Sequence, residues 1–155
     1  MDKCSIVKMA INHRETQQIP YCVDFTGEAL KRIRRYFPGR DFQLALGNYV
    51  YQVSPPWWNW HNVPENYGAL EEPDFIPRTV GRGNYEDLFE KCRKIKESTG
   101  CYILAMFYGS HFEKAWFARG IDNFLYDVAG NRDYAKRMLE TIIRKNMVML
   151  ENMLC

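Results

Sequence analysis

Residues 101–131, CYILAMFYGSHFEKAWFARGIDNFLYDVAGN, decide how this chain is read. The first part, CYILAMFYG, is apolar at nearly every position, as a strand covered on both faces must be. From residue 111 onward the apolar residues recur at helical spacing instead. A strand that passes into a helix is the repeating step of a parallel α/β sheet.

The flanking sequence repeats that step. Upstream, NYEDLFEKCRKIKES places Leu88, Phe89, Cys92 and Ile95 on one helical face, with Asn84 or Tyr85 at its start. Downstream, the spacing predicts helices over 112–128 and 133–155, joined by AGN. Ala135, Met138, Leu139, Ile142, Ile143, Asn146, Leu150, Met153 and Leu154 form the helically spaced stripe of the last one. It meets no glycine or proline stop before Cys155, so the domain is expected to be truncated there and the helix to run on.

Toward the N-terminus, Ile6, Val7, Ala10 and Ile11 predict a short helix. After Pro20, the alternation of Tyr21, Val23 and Phe25 predicts a strand. EALKRIRRYFPG then carries Ala29, Leu30, Ile33 and Phe37 on one helical face and stops at Pro38-Gly39, completing a first β-α unit. FQLALGNYVYQV reads as a strand or strand pair interrupted at Gly47. Residues 53–82 hold five of the seven prolines and three of the four tryptophans without usable periodicity. A loop longer than about 12–15 residues in a compact domain tends to be functional.

Charge is balanced, with 21 Lys+Arg against 19 Asp+Glu, and no basic block argues for nucleic acid or an anionic membrane as partner. Five scattered cysteines without C-x-x-C spacing suggest neither a disulfide framework nor a zinc knuckle, and fit a reducing cytoplasm. No stretch reaches the roughly 18 apolar residues that span a bilayer.

Two segments resemble the N-terminal half of the uroporphyrinogen decarboxylase superfamily. VKMAINHRETQQIPYCVDF matches the family's opening helix, histidine-containing turn and proline-led first strand. FYGSHFEKAWFARGIDNFLYDVAGNRDYAKRMLETI matches its mid-chain strand and the helices that follow. The resemblance covers roughly the first and last thirds of the chain and implies one domain over 1–155, forming the N-terminal part of a (β/α)8 TIM barrel. Such a barrel typically needs about 250 residues.

Departures from the family pattern point away from the decarboxylases and toward the corrinoid-dependent, thiol-linked methyltransferase branch. VDFTGEA lacks the arginines with which decarboxylases grip carboxylates, Trp116 stands at the place of their active-site tyrosine, and Arg119 replaces the acidic residue before Gly120. The phenylalanine-serine-aspartate motif of the catalytic aspartate does not occur. The resemblance implies a tetrapyrrole, corrinoid or thiol ligand at the C-terminal ends of the strands. Corrinoid and zinc belong to the complete protein; the family's zinc ligands lie in its C-terminal half, and no His-x-Cys occurs here.

The candidate ligand-binding residues are therefore Asp24, Trp57, Trp58, His61, Ser110, His111, Trp116 and Arg119. Asp24 and the Ser110–His111 pair hold strand-end positions, although a turn-capping carboxylate or a hydrogen-bonded structural histidine accounts for them equally. Trp57 and Trp58 either line a flat pocket or pin their loop to the protein surface. Arg119 reads as an anion anchor or as a salt-bridge partner, and Glu113, six residues away, is on another helical face. Two alternatives stand beside the methyltransferase reading. One is a non-catalytic half-barrel module that homodimerises or pairs with a separate C-terminal subunit, and the other is a true decarboxylase.

Overall fold

A computed structural model describes residues 1–56, 83–107 and 111–154. The chain divides into two compact units, one of residues 1–53 with 89–106 and the other of 54–88 with 107–155.

The first unit begins with α1 (Lys3–Ile11), whose N-cap Asp2 accepts a hydrogen bond from Ser5 N and buries Ile6 and Val7. Next come α2 (Gly27–Ile33), a 3-10 turn (Arg34–Tyr36), the one-turn α3 (Phe42–Ala45) and β1 (Val50–Val53). The helix α4 (Tyr85–Thr99) leads into β2 (Tyr102–Ala105), which pairs in parallel with β1 so that Val50 faces Tyr102 and Val53 faces Ala105. The two strands and the intervening helix make one β-α-β step.

This is not a partial TIM barrel. The described residues are mostly helical, and their one sheet is the two-stranded β1-β2 ribbon. Two predicted strands are replaced by side-chain chemistry. Residues 21–25 lie extended, but their polar partner is the buried Asn48, whose Nδ2 donates to Val23 O (3.0 Å) while its Oδ1 accepts from Val23 N (3.0 Å). The remaining backbone link is Tyr49 N to Tyr21 O at 2.9 Å. Residues 42–45, expected to be extended, are helical because Asp41 caps them, accepting from Gln43 N (3.0 Å) and Leu44 N (3.4 Å).

That helical turn lets Gln43 reach back to β1. Its Nε2 donates to Gln52 O at 3.0 Å and its Oε1 accepts from Gln52 N at 2.8 Å, so one side-chain amide satisfies the two backbone groups that an additional strand would have taken. The sheet edge that the sequence leaves open is thereby occupied. Gly47 makes the turn between α3 and β1 with φ 73°, and a Cβ there would stand 2.9 Å from the Tyr21 hydroxyl. Nor is β2 covered on both faces as expected, for Leu104 is exposed.

Among the described residues from 111 onward there are three helices where two were expected: α5 (His111–Arg119), α6 (Ile121–Gly130) and α7 (Arg132–Leu154). Gly120, at φ 85°, separates the first two. Its N–H donates to Trp116 O and its carbonyl accepts from Phe124 N, so it closes one helix and opens the next. Ala115, Ala118, Phe124, Tyr134, Ala135, Met138 and Ile142 make the core, with Trp116 and Leu139 packed against it. Small alanines on α5 allow close approach to the larger side chains of α6 and α7.

Candidate functional site

Of the eight residues selected from sequence, Trp57, Trp58, His61 and Ser110 lie outside the described residues. Asp24 follows no strand; it is exposed, and its Oδ1 accepts from the adjacent Phe25 N at 2.8 Å. His111 is the exposed first residue of α5.

Trp116 is half-buried on the helical core, its ring stacked on that of Phe117 with centroids 4.0 Å apart. Arg119 is an ion-pair residue: its Nε donates to Asp127 Oδ2 at 2.7 Å, and its guanidinium lies 5.2 Å from the centre of the Tyr134 ring. Both side chains of the pair are largely buried. Nearby in sequence, Lys114 is buried too and donates to Asn146 Oδ1 at 2.5 Å; burial pushes its ammonium pKa down, against the opposing influence of Glu113.

A concavity elsewhere combines residues that were not selected from sequence. It belongs to the first unit, has a volume of about 380 Å³, and is bordered by Arg34, Arg40, Lys91, Asp41 and Tyr51. The 3-10 turn carries Arg34, and the Pro38-Gly39 bend reverses the chain so that Arg40 borders the same hollow. Lys91 comes from α4, with its ammonium 5.3 Å from the centre of the Tyr51 ring.

Tyr51 is only 1% exposed, and its hydroxyl donates to Asp41 Oδ2. Asp41 thus serves two amides of α3 and a phenol at once. Burial pushes the Tyr51 pKa up, and the hydrogen bond and negative charge of Asp41 push it further. The phenol is therefore a fixed donor at neutral pH and not a base or a nucleophile. Three cations against one committed carboxylate leave the hollow with a net positive charge. Such an arrangement binds anions, with the guanidinium groups able to grip a carboxylate or phosphate through paired N–H donors.

The clue in the sequence was the basic run KRIRRYFPGR, in which a turn signal lies between Arg34 and Arg40. Lys91, far along the chain, carries no such clue. Among the described residues no group of three or more His, Cys, Asp or Glu is placed to hold a metal ion, and no helix is long and apolar enough to cross a membrane. No protein-family model, curated protein or solved structure matches the chain.

Proposed function

We propose that this chain binds a small carboxylate- or phosphate-bearing molecule in the hollow bordered by Arg34, Arg40 and Lys91. The observation that carries this reading is the meeting of three cations from separate segments around a concavity of about 380 Å³. That volume is toward the lower end of the roughly 300–1,000 Å³ of small-molecule pockets. A di- or tricarboxylate or a phosphate monoester fits whole, whereas a tetrapyrrole would engage through one carboxylate-bearing edge. The chain's residues supply binding and orientation here, because the one phenol is held protonated and the one carboxylate is engaged.

Isothermal titration with citrate, inorganic phosphate and a tetracarboxylate porphyrin tests the reading. Saturable binding that weakens at least tenfold in Arg34→Ala and Arg40→Ala, and that fades with added salt, is expected. No binding of any of the three at millimolar concentration would sink it.

A second reading, a relative of the corrinoid-dependent, thiol-linked methyltransferases, rests on the resemblance of 7–25 and 107–142 and on the half-buried indole of Trp116, a flat apolar surface on which a macrocycle can stack. Methylcobalamin should then quench tryptophan fluorescence less in Trp116→Phe than in the parent chain. Equal quenching in the two proteins removes this support.

A further inference from the structure

The helical unit presents a surface unrelated to the anion-binding hollow. Along α7, Leu139, Ile143, Met147, Leu150 and Leu154 recur at spacings of four, four, three and four, which keeps them on one side of the helix. This side is turned away from the one that buries Tyr134, Met138, Ile142 and Met149 in the unit, with Leu139 at the border between the two and packed against the core. Much of the stripe faces solvent: Ile143 is 42% exposed, Met147 50%, Leu150 38% and Leu154 79%. Scattered exposed apolar residues are ordinary, but a continuous stripe on a helix marks an interaction surface.

Two features say what covers it. First, the N-terminal half of the stripe is a shallow, open groove of about 580 Å³ along α7 with Val128 of α6 at its edge, lined also by Ala135, Leu139 and Ile143, while the C-terminal half presents the partly exposed Leu150 and the more exposed Leu154. A two-fold axis beside Ile143 sets each copy's Leu150 level with the other's Lys136, so the leucines of each enter the groove of the other. Groove and knobs on one molecule, related by a two-fold, satisfy the self-complementarity of an isologous dimer.

Second, charge agrees with that orientation. Arg132, Lys136 and Glu140 border the groove, with Lys136 3.9 Å from Glu140 of its own chain, which leaves that border one positive charge in excess; Glu151 flanks the leucines, so an antiparallel pairing brings this border of one copy beside Glu151 of the other. A parallel pairing in register would set Lys136 against Lys136. The helix dipoles also favour antiparallel alignment.

We infer that the chain self-associates through α7 as an antiparallel two-fold dimer, with Leu150 and Leu154 of each copy seated in the α6–α7 groove of the other. Residues 132–154 extend about 33 Å along the helix axis, and a stripe about 10 Å wide offers on the order of several hundred Å² per copy. That is the scale of a small, reversible interface.

Sedimentation velocity of the full chain at about 1 to 100 µM tests the inference, with circular dichroism confirming that each variant keeps its helices. The parent should shift from monomer to dimer across that range, and Ile143→Asp should weaken the dimer at least tenfold. Lys136→Glu and Glu151→Lys should each weaken it, and the two together should restore it. Ile143→Cys, at the axis, should form a disulfide-linked dimer under mild oxidation, measured against the parent because native cysteines are present. A parent that stays monomeric at 100 µM, or a dimer indifferent to Ile143→Asp, would overturn the proposal; a double charge exchange that fails to restore association would overturn the antiparallel register.

Discussion

Tyr51 shows how much one buried polar group can carry. Its ring supports Lys91 at the hollow, and its hydroxyl holds the carboxylate that caps α3. Because burial and Asp41 both oppose the phenolate, the folded chain holds that proton above the ordinary value of 10.0. The stability that this difference supports is fully present below pH 10 and is lost as pH rises from there toward the folded pKa. Urea denaturation should show Tyr51→Phe less stable than the parent by about 1 kcal/mol at pH 7, through the lost hydrogen bond. The gap should narrow by pH 11, where the parent alone suffers this loss. A gap that is constant with pH would mean that the phenol titrates equally in the folded and unfolded chains.

At the scale of elements, Gly120 makes possible what helical periodicity excluded. On one continuous helix, Arg119 and Asp127 would be eight residues and more than two turns apart; the break at Gly120 folds α6 back so that they meet at 2.7 Å. The pair ties α5 to α6, with side chains 14% and 9% exposed. Arg119→Met leaves Asp127 largely buried without this cation and should cost about 3–5 kcal/mol, whereas Arg119→Met with Asp127→Leu should recover most of the loss. Thermal unfolding of the two variants checks this, and equal destabilisation in both would show that packing of the arginine matters more than its charge. The long helix expected over 112–128 was legible in its apolar residues. Its division was not: one continuous helix was expected through Gly120, whereas the structure breaks it there at φ 85°.

At the scale of the molecule, two units built on different principles share one chain. The first closes a two-stranded sheet with the side-chain amides of Gln43 and Asn48, and the second is a three-helix core. If α7 pairs with a second copy, stability is linked to concentration by mass action. The melting temperature should rise by a few degrees between about 2 and 200 µM chain, and that rise should vanish in Ile143→Asp. Calorimetry at the two concentrations measures both effects.

From sequence alone the helices α1, α4 and α7 and the β-α-β step from Val50 to Ala105 were readable, because each is set by the local recurrence of apolar residues, but which of those residues would be buried was not: Ile11 on α1 and Ile143, Leu150 and Leu154 on α7, all placed on the apolar stripes, are exposed. The resemblance to a barrel family led the fold expectation astray, since strand-like alternation at 21–25 and 42–46 says nothing about which group will satisfy the backbone. Tertiary structure decided that: the amides of Asn48 and Gln43 took the positions of strand partners, and Asp41 turned an apparent strand into a helix. It also decided the candidate site. Arg34, Arg40 and Lys91 are ordinary surface cations in the sequence, and only a turn at Pro38-Gly39 and the placement of α4 make them neighbours around one hollow, where their charges sum.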